Sequence, residues 1–155
     1  ESTTTEETSY TYEKMKGLYS YKSETQTDEN GNEYNNNYVL YLYEDGTFIY
    51  TFSTFAPRGY IGNYIIVGDE IKLNYLFSTN SGTGLTVTNG NKIIKISNDE
   101  TLTDPEDLIN KDSKESITLT KDNSQENNKL YEENTATNRI YNEVDFTTKR
   151  ELNNN

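Results

Sequence analysis

The chain has 155 residues, contains no histidine, cysteine or tryptophan, and carries a net charge of −12 at pH 7. Without imidazole or thiol groups it cannot build a Ser-His-Asp triad, a cysteine nucleophile or the usual zinc, haem and iron–sulfur sites. Its negative charge opposes binding to nucleic acid and to anionic membrane surfaces. The length predicts one domain with tails, and no apolar run is as long as a membrane-spanning helix.

Residues 1–15 are mostly polar and predict an N-terminal linker, with Tyr10, Tyr12 and Met15 docking where the domain begins. The chain starts at Glu1 in a Ser/Thr/Glu-rich run. That start is typical of a bacterial lipoprotein whose signal peptide and lipidated cysteine have been removed, and equally of a boundary inside a longer protein. We favour the first alternative, which predicts an extracytoplasmic protein that reaches the membrane only through a lipid anchor.

Residues 16–121 carry nearly all of the period-two apolar pattern and predict the folded domain. Short glycine turns at Asp45–Gly46, Gly68–Asp69 and Asn89–Gly90 predict hairpins, and therefore an antiparallel meander. About eight strands of ordinary length fit, which is enough to close a small barrel. The predicted strands are 17–21, 38–43, 47–55, 61–67, 71–77, 85–88, 92–97 and 116–121.

The hairpin around Asp45–Gly46 allows its register to be predicted. A two-residue turn would leave apolar side chains on both faces, whereas a type I turn with a bulge at Gly46 separates the faces better. The bulged register pairs Leu42 with Phe48, Leu40 with Tyr50 and Tyr38 with Phe52. It places five residues inside the domain: Leu40, Leu42, Phe48, Tyr50 and Phe52. The same alternation adds Tyr64, Ile66, Ile71, Leu73, Leu85, Val87, Ile94, Ile96, Ile117 and Leu119.

One helix signal interrupts the strands. Asp104 suits an N-cap and Pro105 the first helical position, which predicts a short helix near residues 105–110. Residues 122–155 are rich in Asn and Glu and predict a polar C-terminal extension. Within it, residues 139–146 alternate weakly, and either an added strand or a surface segment is consistent with them.

The turn and core motifs resemble those of a known group of domains. Gly17 and Tyr19 open the domain, Leu40 to Phe48 reads Leu-x-Leu-x-x-x-Asp-Gly-x-Phe, and Gly62 to Leu73 reads Gly-x-Tyr-x-Ile-x-Gly-Asp-x-Ile-x-Leu. With Ile-x-Leu-x-Lys at Ile117 to Lys121, residues 16–121 resemble the lipocalin-like, calycin-type domains of bacterial secreted lipoproteins. The resemblance implies an all-β barrel of mostly uncharacterised function, and it implies no catalytic residues.

Two groups of aromatic residues are candidate binding sites. Phe48, Tyr50, Phe52 and Tyr64 either line a cup for a small apolar ligand or simply fill the interior. We favour filling, because a small barrel needs bulky rings to avoid voids. On the predicted outer face, Tyr41, Tyr43 and Ile49, with Tyr60 and Tyr75 nearby, either recognise a protein or glycan or pack beneath the C-terminal extension. The sequence leaves these two alternatives open.

The acidic residues identify neither a metal site nor an enzyme. Residues 28–33 are rich in oxygen ligands, but Gly31 stands fourth rather than sixth and no Glu stands twelfth, so an EF-hand is excluded and a hairpin turn suffices. Glycosidase-type catalysis needs two acids facing one cleft, and nothing selects a pair from the 26 Asp and Glu. We therefore expect a non-catalytic binding module without cofactor or metal, followed by an apolar-ligand carrier and, third, a carboxylate enzyme.

Overall fold

The computed structural model describes residues 10–54, 57–80, 84–109, 115–129 and 131–132. Two short helices are present there, α1 (Tyr12–Met15) and α2 (Gln125–Lys129). Neither is long and apolar enough to cross a membrane. The strands are β1 (Gly17–Lys22), β2 (Gln26–Thr27), β3 (Glu33–Tyr34), β4 (Asn37–Leu42), β5 (Thr47–Ser53), β6 (Pro57–Val67), β7 (Glu70–Asn80), β8 (Gly84–Val87), β9 (Asn91–Asn98), β10 (Thr101–Asp104) and β11 (Ile117–Asp122).

Eight strands close into an antiparallel barrel. Their order is β6-β5-β4-β1-β11-β10-β9-β7, and β6 pairs back onto β7. β2 and β3 form a separate small hairpin, and β8 pairs with β7 outside the ring. The predicted all-β fold class, a small antiparallel barrel of about eight strands, is confirmed.

The register predicted for the first hairpin is confirmed. Leu42 pairs with Phe48 and Leu40 with Tyr50 across β4 and β5. Gly46 has φ +88° at the bulge, where a residue with a Cβ is strained. The Asp45 carboxylate accepts a hydrogen bond from the backbone N–H of Thr47 at 3.0 Å, which fixes the turn.

The core fills the barrel interior. Met15, Leu40, Phe48, Ile94 and Leu119 are among its fully buried members. Met15 belongs to α1, which packs against the barrel end that carries the β4–β5 turn, and the Tyr12 ring lies edge-on to Tyr64 with 5.2 Å between centroids. Tyr12 and Met15 belong to the segment predicted as linker, so the packed region extends N-terminal to residue 16. Residues 1–9 of that linker lie outside the described residues.

The membership of the barrel differs from the prediction in one strand. β8 and β9 both run antiparallel to β7, so Asn89–Gly90 connects two strands of the same direction and does not form a hairpin. The eighth barrel strand is β10, in the segment predicted to precede a helix. Val87, predicted to be buried, is 72% exposed; it pairs with Phe77, which belongs to a second apolar cluster and not to the barrel core. The side chain of Leu85 lies outside the described part of the structure, and Ile66 is partly buried against the core.

The predicted position of the short helix is wrong. Residues 105–109, where they are described, form bends, and the Asp104 carboxylate accepts a hydrogen bond from the backbone N–H of Glu106 at 3.0 Å. Asp107 caps Ile109 in the same way at 2.9 Å. Asp104 thus caps a turn as an Asx residue. Its side chain is buried in the barrel, where it pairs with Lys92 of β9.

A bulge in β7 faces Gly62 of β6. Ile61 pairs with Phe77 and Gly62 with Tyr75, so Leu76 is the extra residue. A Cβ at Gly62 would lie 1.9 Å from the carbonyl oxygen of Asn74, so only glycine fits there. Tyr60 alternates in phase with Tyr64, and Tyr75 alternates in phase with Leu73, so both pack on the barrel core. Their predicted outward placement is wrong.

Candidate functional site

The four interior aromatic candidates all lie in the barrel core. Phe48, Tyr50, Phe52 and Tyr64 are buried members of one cluster. The Tyr50 and Phe52 rings meet edge to face with 6.5 Å between centroids, and the Tyr64 hydroxyl donates to the backbone carbonyl of Tyr43 at 2.8 Å. Packing and hydrogen bonding therefore account for all four, as the filling alternative requires.

A buried polar cluster lies among these rings and was not identified from the sequence. The Lys92 Nζ lies 2.8 Å from Asp104 Oδ1 and 3.2 Å from the exposed Glu106 carboxylate. The Tyr50 hydroxyl donates to the other Asp104 oxygen at 2.7 Å. Burial, reinforced by the Asp104 charge, raises the pKa of Tyr50 well above its usual value. Tyr50 is therefore a neutral donor, and Lys92 is the cation that compensates the buried carboxylate.

A stack of aromatic rings extends this core toward the start of β6. The Tyr60 and Tyr75 rings are parallel within 3° with centroids 4.0 Å apart, and the Arg58 guanidinium lies 4.9 Å from the centroid of Phe52. Burial, with a smaller contribution from the Asp104 charge, raises the pKa of Tyr75. The Tyr75 hydroxyl is buried and has no hydrogen-bond partner among the described residues. Tyr60 and Tyr75 therefore belong to the interior and not to a surface strip.

The remaining outer strip is covered by the C-terminal extension. The Tyr41 ring stacks on Tyr131 at 5.6 Å, and the Tyr41 hydroxyl donates to Glu132 at 2.8 Å. The Tyr43 hydroxyl donates to the Tyr131 carbonyl at 3.0 Å. Ile49 is fully buried in a second apolar cluster with Ile61, Leu76 and Phe77. This arrangement matches packing under the extension, the second of the two alternatives. Residues 133–155, including the weakly alternating 139–146, lie outside the described residues.

An exposed apolar surface lies instead on the outside of β6, β7 and β9. Cross-strand pairing aligns Ile65 with Lys72 and Lys72 with Ile93. Ile65 is 54% exposed, Ile93 is 44% exposed and Val67, two residues from Ile65 on the same face, is 49% exposed. We call this surface the β6–β7–β9 face; its outward residues are Asn63, Ile65, Val67, Glu70, Lys72, Asn74, Asn91, Ile93 and Lys95.

Polar groups border the apolar residues of the β6–β7–β9 face. The Asn74 amide donates to the side-chain oxygen of Asn63 at 3.1 Å. On the other side Lys95 and Glu70 form an ion pair at 2.8 Å, and the hydrogen bond from Lys95 lowers the pKa of Glu70. Lys72 has no ion pair with any described residue. A groove of about 440 Å³ runs through this face. Lys72 thus lies between Ile65 and Ile93, with the two amides on one side of this row and the Lys95–Glu70 pair on the other.

A second groove, of about 600 Å³, lies between the barrel and α2. Its lining is polar, and its cations are already engaged. Lys16 pairs with Glu44 at 2.7 Å, and the Lys121 ammonium donates to the Lys14 carbonyl at 3.2 Å. This groove therefore offers fewer groups for a ligand than the β6–β7–β9 face does.

The oxygen-rich loop at residues 28–33 is the tip of the β2–β3 hairpin. One Asp28 oxygen accepts the backbone N–H groups of Asn30 and Asn32, each at 2.9 Å, and Gly31 has φ +83°. The Asn32 N–H, with smaller help from its neighbours, lowers the pKa of Asp28. The carboxylate is thus used within the turn. Across the part of the chain that the structure describes, no group of three or more acidic residues is placed to hold a metal ion.

No protein family, curated protein or solved structure matches the chain. The eight-stranded antiparallel barrel is compatible with a lipocalin-like fold. Functional inference therefore depends on the geometry of this molecule.

Proposed function

We propose that the protein is a non-catalytic binding module, displayed outside a bacterial cell through a lipid anchor, that recognises a partner protein with its β6–β7–β9 face. The extracytoplasmic placement is supported by the resemblance of residues 16–121 to lipocalin-like lipoprotein domains. The binding role is supported chiefly by one observation: Ile65 and Ile93 are exposed along one groove, and the exposed Val67 lies beside it on the same face.

The chemistry of the face favours a protein partner. Burying aliphatic surface gains roughly 25 cal/mol per Å², so covering Ile65 and Ile93 supplies a favourable contact. The amides of Asn63 and Asn74 lie beside them and suit the polar groups of a peptide surface. The outward residues of this face include no aromatic ring of the kind on which a sugar stacks. Because side chains fill the barrel interior, a partner has to bind to its outer surface.

A hydrophobic fluorescent dye tests this proposal on the intact chain. We expect the dye to bind, and we expect the double substitution Ile65→Ser/Ile93→Ser to weaken that binding by about tenfold, since it removes both apolar sides of the groove. Val87→Ser is the matched control, because Val87 is equally apolar and exposed but lies on β8 outside this face. Thermal unfolding checks that both variants remain folded.

The carrier alternative gives a different result in the same titration. Dye binding that is unchanged in Ile65→Ser/Ile93→Ser and is displaced one-for-one by a fatty acid would place the ligand inside the barrel. That outcome would overturn the surface-binding proposal in favour of a small apolar-ligand carrier lined by Phe48, Tyr50, Phe52 and Tyr64.

A further inference from the structure

We propose that the open edge of β8 binds an extended peptide segment of a partner protein, which adds a strand to the sheet. This site is separate from the β6–β7–β9 face and does not depend on it. β8 pairs with β7 through Val87–Phe77 and Thr86–Ser78. It is the terminal strand of the nine-stranded sheet, so its other edge has no strand beside it among the described residues.

The arrangement of the barrel leaves this edge uncovered by the neighbouring strand. β9 continues from β8 along β7, since the Tyr75 N–H donates to the Gly90 carbonyl at 2.8 Å. The strand on the far side of β9 is β10, in which Thr103 pairs with Lys95. β10 ends one residue later, at Asp104. Lys95 is level with Glu70 at the start of β7, whereas β8 pairs with Phe77 to Asn80 at its end, so β10 stops short of the level of β8.

The backbone groups of β8 show which residues a partner would contact. The Thr88 N–H donates to the Leu76 carbonyl at 3.0 Å, so Thr88 faces β7. Because backbone groups alternate along a strand, Thr86 also faces β7, while the N–H and C=O of Leu85 and Val87 face the open edge. Two donor–acceptor sets about 7 Å apart match the repeat of an extended peptide. That spacing selects a peptide backbone over a lipid or a glycan.

The sequence lacks the usual protection of an edge strand. Natural edges carry lysine, proline or a bulge that blocks pairing with other chains. Residues 73–91 contain no charged side chain and no proline, although the whole chain has a net charge of −12. Val87 adds an exposed β-branched side chain of the type that pairs well across strands. Neither charge nor proline therefore blocks pairing at this edge, and its four-residue length limits a partner to a short segment.

The charge distribution selects a heterologous partner over a second copy of the chain. Two copies would bring net charges of −12 together, and β8 has only four residues to offset that repulsion. A segment with an uncharged, β-branched centre and flanking Lys or Arg residues pairs with the neutral edge and is attracted by the acidic protein. The complex is weak, and its association rate falls as salt screens the attraction.

The test uses the full chain and an acetylated peptide of three Thr-Val repeats flanked on each side by two lysines. We expect the peptide to shift the backbone NMR signals of Leu85 and Val87 and to bind less tightly as salt increases. N-methylation of the peptide amides that face β8 should weaken binding at least tenfold, whereas N-methylation of the amides that face away should not. Val87→Pro should also abolish binding, and Val87→Thr should retain it.

Val87→Pro leaves the β7–β8 hydrogen bonds in place, because the N–H that proline removes faces the open edge. Unchanged thermal unfolding verifies that the barrel is intact. Failure of the peptide to bind at millimolar concentration, or binding insensitive to both N-methylation and Val87→Pro, would overturn the proposal. A dimer in sedimentation that Val87→Pro dissociates would overturn it in favour of a second copy. None of these outcomes depends on Ile65 or Ile93.

Discussion

Lys92 and Asp104 form an ion pair inside the barrel, with 2.8 Å between Nζ and Oδ1 and side chains 5% and 0% exposed. The pair joins the beginning of β9 to the end of β10, and Tyr50 contributes a further hydrogen bond from β5. Both oxygens of the buried carboxylate are therefore satisfied. Stability depends on both partners being present, because Asp104 alone would be buried without a cation and Lys92 alone would keep only the exposed Glu106 carboxylate.

Removing one member of this pair should destabilise the fold strongly. We expect Asp104→Ala to lower the free energy of unfolding by about 3–5 kcal/mol, since it leaves the buried Lys92 ammonium with only the exposed Glu106 carboxylate at 3.2 Å. The double variant Lys92→Met/Asp104→Leu should lose much less, because a hydrophobic replacement removes both charges together. Urea unfolding at neutral pH measures the free energy of unfolding of the single and the double variant. A double variant as unstable as Asp104→Ala would show that the attraction itself stabilises the barrel.

Position 62 of β6, opposite the bulge in β7, should tolerate glycine alone. We expect Gly62→Ala to cost about 3 kcal/mol or more, because its Cβ would lie 1.9 Å from the Asn74 carbonyl oxygen. Gly68→Ala is the control: Gly68 has φ +63°, but a Cβ added there would meet no atom within 4 Å, so it should cost only about 1–2 kcal/mol of backbone strain. Equal losses in thermal unfolding would argue against a close approach of β6 and β7 at this point.

The C-terminal extension should stabilise the barrel through Tyr131. We expect Tyr131→Ala to lower the free energy of unfolding by about 2–3 kcal/mol, because it uncovers Tyr41 and removes the stacked ring. Tyr41→Phe keeps the stack and loses only the hydrogen bond to Glu132, so it should cost about 1 kcal/mol. Tyr131→Ala should also increase binding of a hydrophobic dye. No change in either measurement would contradict the packing of the extension on β4.

Alkaline pH should unfold the protein. Burial is the main cause that raises the pKa of Tyr19, Tyr38, Tyr41, Tyr50 and Tyr75 in the fold. A raised pKa means that the stabilisation is complete below the unfolded value of about 10 and is lost as pH rises beyond it. The tyrosinate absorbance of these five residues should therefore appear in a cooperative step that coincides with unfolding, at a higher pH than their ionisation midpoint in urea. Ionisation of all tyrosines near pH 10 with the fold intact would contradict their burial.

Alternation and turn chemistry made the first hairpin predictable. Asp45–Gly46 specified a bulged turn, and separation of the two faces placed Leu40 and Phe48 on the inside, as the structure has them. The outward placement of Tyr60 and Tyr75 failed because it departed from this alternation: Tyr60 is in phase with Tyr64, and Tyr75 is in phase with Leu73. The β7 bulge opposite Gly62 depends on long-range pairing, and its only sign in the sequence is a glycine inside a strand.

The buried ion pair was foreseeable in part. Lys92, Ile94 and Ile96 are spaced two residues apart along β9, so the sequence predicts that all three side chains lie on the same face of the strand. Asp104 alternates with Leu102 in the same way, but its helix-capping signal was stronger and concealed β10. Packing of Tyr41 beneath the extension was one of two predicted alternatives, but the residue that covers it, Tyr131, could not be identified because the polar extension has no periodic pattern that points to β4.

The central claim is that this barrel binds on its outside because its interior is filled. NMR chemical-shift mapping with a hydrophobic fluorescent dye as the probe tests it most directly. The account predicts shifts confined to the β6–β7–β9 face, centred on Ile65, Lys72 and Ile93. Shifts centred on Phe48, Tyr50 and Phe52, with the outer face unchanged, would contradict it.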